Sequence, residues 1–377
     1  MQLGRLAGFD RQRFLAEYWR KQPCLITGWL DPSPLEFDRL LDLADACDLP
    51  TRLVRGSSEN EDWSVDHGPI GKMDLPEESR DWTVLVQEVD KVDPAVAALL
   101  EDFRFLPNWI IDDIMISQAV PGGSVGPHLD AYDVFLVQAK GRRRWELADG
   151  SSFRADERFE LALLESWVPE FTIETVPGDV LYLPAGVGHH GVALDEAQTW
   201  SVGLRTPSGP ELLFELAETV LGRPDKAQRL SLERIDPAQS DGIPSELIAQ
   251  ARAQLEACLE MDDRQLGELL AAFLTRWRLW ESDSEVEPEQ IHGKLRAGLE
   301  LPLALNARLA LLGHGEDMAL FVNGERIEAP ARLARELSVR RRIGPEWLEA
   351  PDALEQLIGV DAIGPLPGPR IVSSRGD

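Results

Sequence analysis

Six histidines are spread along the 377 residues: His67, His128, His189, His190, His292 and His314. One of them opens the triplet His128-Leu129-Asp130, which offers a nitrogen ligand and a carboxylate ligand at i and i+2. On an extended strand these two side chains share a face. A second imidazole is available from His189, with His190 beside it as another candidate. Two histidines and one carboxylate on one triangular face of Fe(II) leave three adjacent positions, enough for a bidentate 2-oxo acid and dioxygen. Zinc hydrolysis can use similar ligands but needs a nearby general base, and the sequence signals none. A lone His-x-Asp arises easily by chance, so its flanks decide. Gly122-Gly123-Ser124-Val125-Gly126-Pro127 lets backbone pass close to a bound ion, and Pro184-Ala185-Gly186-Val187-Gly188 makes a tight turn before the second histidine.

A 2-oxo diacid also needs a cation for its far carboxylate. Arg143 follows His128 by 15 residues (143 − 128) on the run after the Lys140-Gly141 turn. Its planar fork can grip a carboxylate through two hydrogen bonds. Arg142, Arg143 and Arg144 must point alternately on a strand, and Arg142 and Arg144 are read as a solvated face. Ser117, on the run before the glycine-rich turn, is a weaker candidate for a second hydrogen bond to the same group.

These residues need elements to carry them. Asp10 reads as an N-cap ahead of Phe14, Tyr18 and Trp19 on one helical face, and Ser33-Pro34-Leu35-Glu36 as a capping box opening a helix to about Ala46. A third helix is predicted between residues 82 and 100. From residue 109 the pattern turns to short β-rich runs: 109–111, 114–120, 134–139, 142–147, 171–176, 180–183 and 199–204. Each is bounded by Gly or Pro turns such as Pro177-Gly178-Asp179. Many short strands so punctuated predict a sandwich or double-sheet jelly roll, with the N-terminal helices over one sheet.

After Arg205 the chain turns helical, with predicted helices at 211–221, 245–260 and 263–280 joined by a polar connection at 222–243. The stripe Leu247, Leu255, Leu259, Leu266, Leu270, Phe273 and Trp277 reads as core or dimer seam. The acidic segment 281–289 is predicted to be a linker. Beyond it, Asn323-Gly324 marks a hairpin, preceded by a predicted helix at 303–312 and followed by helices at 331–337, 345–348 and 352–358. Helices around a small β-wing make a winged-helix pattern. Apart from Arg340-Arg341-Arg342 the unit has no basic character, so it reads as a protein-contact or packing module.

Composition narrows the partners. Lys and Arg total 38 against 66 Asp and Glu, a formal net charge of −28. Such a surface repels phosphate backbones, so no direct nucleic-acid binding is expected, and it attracts basic proteins, histones and ribosomal proteins among them. Cys24, Cys47 and Cys258 are scattered without a CxxC pair, which excludes a thiolate zinc site and fits a reducing cytoplasm. No apolar run approaches the roughly 20 residues of a membrane span, and a cytoplasmic protein is expected.

The run from Gly126-Pro127-His128-Leu129-Asp130-Ala131-Tyr132 to Gly141-Arg142-Arg143-Arg144-Trp145 resembles the JmjC-type cupin oxygenases, and within them the bacterial ribosomal oxygenases. Pro107-Asn108-Trp109, Asp112-Asp113, Ile116-Ser117, Tyr182-Leu183-Pro184 and Trp200–Arg205 add to the likeness, which is densest over about 107–205. It implies an α+β fold: a double-stranded β-helix (cupin/JmjC jelly roll) with N-terminal helices over 1–207, a helical dimerisation region over 208–285 and a winged-helix-like domain over 286–377. It implies iron ligation by His128, Asp130 and His189, the position after Pro184-x-Gly choosing His189 over His190, and 2-oxoglutarate binding by Ser117 and Arg143. The implied activity is Fe(II)- and 2-oxoglutarate-dependent hydroxylation, with dioxygen as co-substrate, of an arginine in large-subunit ribosomal protein sixteen, by a homodimer. Many JmjC enzymes carry lysine where Arg143 stands, so the arginine favours the ribosomal group. Histidyl hydroxylation, methyl-lysine demethylation and a non-enzymatic cupin-like regulator are the competing expectations.

Overall fold

The strands between Gly4 and Leu204 form two facing sheets. The computed structural model describes residues 1–57, 62–150, 163–221, 242–276 and 287–364, together with 154, 156, 158–161 and 228–232. In chain order the first elements are β1 (Gly4–Ala7), α1 (Arg11–Glu17), β2 (Cys24–Thr27), α2 (Phe37–Ala46), β3 (Thr51–Ser57), β4 (Asp62–His67), β5 (Trp82–Val86), α3 (Pro94–Ala97), β6 (Ile111–Ala119) and β7 (His128–Leu129). There follow β8 (Asp133–Lys140), β9 (Arg143–Asp149), β10 (Phe171–Thr175), β11 (Val180–Leu183), β12 (Val187–Ala193) and β13 (Ala197–Leu204). The larger sheet runs β1-β2-β11-β8-β13-β6-β5-β3-β4 and the smaller β10-β9-β12-β7.

Alternation along the central strands assigns the two faces of the larger sheet. Ile114, Ile116, Phe135, Val137, Trp200 and Val202 face outward and join Phe14, Tyr18 and Leu40 from α1 and α2 in the main apolar core. Each fully buried large side chain there contributes about 1.5–3 kcal/mol. Asp10 caps α1 as its sequence implies, accepting from the Arg13 N–H at 3.0 Å. The opposite face of β6 and β13 presents Met115, Ser117, Thr199 and Ser201 to a cavity between the sheets.

Two helix expectations hold only in part. Residues 82–86 are a strand, because Trp-Thr-Val-Leu-Val is rich in β-branched and aromatic side chains, buried throughout and paired on both sides, to β3 and β6. Helix begins only at Pro94, behind an Asp93 N-cap. Likewise α2 starts at Phe37 rather than in the 33–36 box, since the Leu35 N–H is taken by the Gln198 side chain at 2.9 Å. Of the run 109–111, residues 109 and 110 lie in a 3-10 turn and Ile111 opens β6.

The remaining elements are α4 (Gly209–Leu221), α5 (Ser245–Leu259), α6 (Asp263–Arg276), α7 (Pro288–Arg296), β14 (Leu301–Pro302), β15 (Leu309–Leu312), β16 (Ala319–Val322), β17 (Glu325–Ile327), α8 (Ala331–Arg340), β18 (Arg342–Ile343) and α9 (Pro351–Gly359). Asn323 and Gly324 take positive φ (49° and 92°) in the β16–β17 turn, as the Asn-Gly pair predicts. The helix predicted at 303–312 is absent: 309–312 is β15, whose alternate side chains pair against β16. A separate core forms around Leu295, Leu320, Val322, Leu337, Trp347 and Leu354. In the helical stripe Phe273 is buried, whereas Leu255, Leu259 and Leu266 are at least half exposed (68%, 55% and 50%), so they are not core of this chain. Trp277, the end of the helix predicted to 280, most of the 281–289 linker and much of the 222–243 connection lie outside the described residues.

The C-terminal unit is tied to the sandwich beside β6. Arg308 donates to the Asp112 carbonyl at 2.8 Å, and Asn108 both donates to the Ala307 carbonyl (3.4 Å) and accepts from the Leu309 N–H (3.0 Å).

Candidate active site

The two-residue strand β7 pairs with β12 so that His128 and His189 lie directly opposite each other. Their ring centroids are 4.2 Å apart. Asp130, two residues beyond His128, lies 3.6 Å from His189 Nε2 through its Oδ2. One ligand atom from each of the three residues lies within 4.8 Å of the others, the spacing a single metal ion requires. Both imidazoles are oriented in the same way: His128 Nδ1 meets the Gly126 carbonyl at 2.9 Å and His189 Nδ1 the Val187 carbonyl at 3.0 Å. With Nδ1–H donated to a carbonyl, each ring presents an unprotonated Nε2, the form that binds a metal. Burial, then the neighbouring His128, lowers His189 to about 4, which keeps it neutral. The donor set therefore suits a divalent first-row metal with open positions.

Gly126 allows this turn. It has φ +77°, and a Cβ there would sit 2.4 Å from Leu163 Cδ2. His190 points to the other face of the smaller sheet, its Nδ1 3.3 Å from Glu146 Oε2, the same oxygen that accepts from Trp167 Nε1 at 2.8 Å. The strand period separates the adjacent rings.

The other end of the cavity is cationic. Arg143 is 4% exposed; its Nη1 reaches the Gly191 carbonyl only at 3.5 Å, and its Nε and Nη2 have no hydrogen-bond partner. Burial lowers it to about 10, still a cation at neutral pH. A buried guanidinium with free donors demands an anion, and the cavity of about 260 Å³ joins it to the three metal-ligand candidates. Ser117 lines the same cavity and donates to the Thr199 carbonyl at 3.3 Å.

The sequence reading gave no role to the remaining polar wall. Asp112, Asp113, Tyr132 and Arg205 line the cavity with Asp130. Burial, then Asp90 and Asp112, raises Asp113 to about 7. Asp112 lies 3.9 Å from Arg205 and 3.8 Å from Arg308, and the Arg205 guanidinium stands 5.1 Å from the Tyr132 ring centroid. Trp145 was missed too, although its i+2 spacing from Arg143 puts it on the same face.

Residues 98–212 match the model of the JmjC domain. The ribosomal protein uL16 3-hydroxylase of Escherichia coli (strain K12) is 33% identical over 362 residues, covering 91% of this chain and 94% of that protein. A probable ribosomal oxygenase of Haemophilus influenzae is 32% identical over 330 residues, 83% of this chain and 80% of that one. The structure of YcfD, a ribosomal oxygenase from Escherichia coli, in complex with cobalt and 2-oxoglutarate, is similar with a TM-score of 0.75 and 30% identity, covering 94% of this chain and 98% of that chain.

Proposed function

The chain belongs to the JmjC-domain family of ribosomal oxygenases, 2-oxoglutarate-dependent enzymes, and from that premise we propose that it hydroxylates an arginine side chain of ribosomal protein uL16. The observation that carries the reading is the buried guanidinium of Arg143, with unpartnered donors, at one end of a cavity whose other end holds His128, Asp130 and His189.

In this reading His128, Asp130 and His189 hold the metal, and Arg143 with Ser117 holds the far carboxylate of 2-oxoglutarate. Bound Fe(II) supplies oxidising chemistry in which 2-oxoglutarate and dioxygen are converted to succinate and carbon dioxide as oxygen is inserted into a C–H bond. The chain's own task is positioning and exclusion of water. Arg143 fixes the depth and direction of the co-substrate, because a bidentate fork has one good orientation. The Nδ1–H bonds to Gly126 and Val187 hold both imidazoles in the ligating tautomer. Asp112 and Asp113 line the same cavity, and their carboxylates favour a cationic target.

Incubation of the protein with purified uL16, Fe(II), 2-oxoglutarate and air tests this. Intact mass should show the gain of one oxygen, and fragmentation should place it on an arginine. An oxygen on histidine, or formaldehyde released from methylated peptides, would replace the arginine reading with another reaction.

The division into a catalytic domain (1–207), a helical dimerisation region (208–285) and a winged-helix-like domain (286–377) is part of the same proposal. It is supported by the exposed Leu213, Phe214, Leu221, Leu255 and Leu259 on α4 and α5, an apolar surface that calls for cover. The order of helices around the β15–β17 sheet supports the C-terminal assignment. Among the described residues no helix is long and apolar enough to cross a membrane, which accords with the proposed cytoplasmic site of action. Light scattering should give twice the chain mass, and Leu255→Glu with Leu259→Glu should halve it.

A further inference from the structure

Arg143 is not the sole donor left open in the cavity. The indole Nε1 of Trp145 is buried and has no hydrogen-bond partner, on a residue 6% exposed that lines the same space. An indole N–H can only donate, and a buried donor without an acceptor is unfavourable. Trp145 follows Arg143 by two residues on β9, so both side chains face inward. The Arg143 guanidinium carbon lies 5.6 Å from the Trp145 ring centroid, and the His189 ring lies 6.1 Å from it. The indole thus stands beside the path from the cationic end to the imidazole end, along which a 2-oxo diacid must extend.

The ring is fixed there by a glycine. Gly191 is opposite Trp145 in the β12–β9 register, and a Cβ on Gly191 would fall 2.5–2.8 Å from Cζ3, Cη2 and Cε3 of the indole. With its benzo edge held against backbone, the ring has little freedom to turn its N–H toward an acceptor elsewhere. The open groups of Arg143 and Trp145 are all donors, and a carboxylate is all acceptor.

We propose that the Trp145 indole N–H donates a hydrogen bond to a carboxylate oxygen of bound 2-oxoglutarate, making Trp145 a co-substrate-binding residue alongside Arg143. This rests on the reading that the cavity takes 2-oxoglutarate. Calorimetry with Mn(II) in place of iron, under anaerobic conditions, compares the wild type with Trp145→Phe and with benzothienylalanine at position 145, which keeps the ring shape and lacks only the N–H. Both variants should bind 2-oxoglutarate about ten-fold more weakly, the effect of one charge-assisted hydrogen bond, while Mn(II) affinity stays within about two-fold. In Zn(II)-loaded protein the indole N–H resonance missing from Trp145→Phe spectra should move downfield when 2-oxoglutarate is added. A benzothienylalanine variant that binds 2-oxoglutarate within about two-fold of wild type, or an unmoved resonance, overturns the proposal and leaves the underlying reading standing. Wild-type protein that binds Mn(II) but not 2-oxoglutarate overturns both.

Discussion

Replacing Arg143 by methionine should make the ligand-free chain more stable and the co-substrate complex far weaker. The guanidinium is buried without an acidic partner, and burial lowers its pKa from 12.5 to about 10. At about 1.4 kcal/mol per unit, that difference corresponds to roughly 3 kcal/mol against the folded state. The sign follows from linkage. A cation whose folded pKa is depressed destabilises the native state at every pH below about 10, and the penalty fades only as the group loses its proton above that value. Methionine removes the charge and keeps most of the length; imperfect packing returns about 1 kcal/mol, leaving a net gain of about 2 kcal/mol. Binding moves the other way. Two charge-assisted hydrogen bonds at about 1.5–3 kcal/mol each are lost, so 2-oxoglutarate affinity should fall at least about 100-fold. Urea unfolding of metal-free protein and calorimetry with Mn(II) read the two effects separately. A variant less stable than wild type that still binds 2-oxoglutarate within about three-fold would refute the reasoning, because the buried charge would then be satisfied by the protein itself.

Because His189 is lowered to about 4, the folded metal-free chain binds fewer protons there than the unfolded chain; its stability should fall as pH drops from about 6.5 toward 4, and His189→Gln should flatten that slope in pH-dependent thermal unfolding. Arg308→Ala should destabilise the junction of the C-terminal unit with β6 by about 3 kcal/mol and raise KM for the ribosomal protein more than KM for 2-oxoglutarate, since the Asp112 carbonyl loses the guanidinium that donates to it at 2.8 Å and the Asp112 carboxylate loses a charge partner. Gly191→Ala should destabilise by about 1–3 kcal/mol in denaturant unfolding, because the added methyl meets the Trp145 ring.

The parts of the site that lie on regular strands were legible in the sequence. His128 opens the short strand β7 and Asp130 follows directly after it, an i and i+2 pair that an extended chain puts on one face, and the glycines around them announce close backbone. Arg143 was legible as the inward member of three arginines, because a strand must alternate them. The wall formed by Asp112, Asp113, Tyr132 and Arg205 was not, since its members come from distant strands and their charges matter only once β6 and β13 pair. The same limit explains 82–86 and 309–312. Short apolar runs read equally well as helix or strand, and partners distant in sequence decided both.

The contact between Gly191 and Trp145 also bears on how β12 finds its place during folding. A histidine doublet invites a slip of one residue, and the slipped strand would still offer an imidazole to the metal, His190 instead of His189. That slip would carry Val192 into the place of Gly191, under an indole that leaves no room for a Cβ, and would turn His189 toward the side where Glu146 and Trp167 now engage His190. Glycine beneath tryptophan therefore acts as a proofreading device: the misregistered strand, although chemically plausible at the metal, is rejected two residues further along by steric collision.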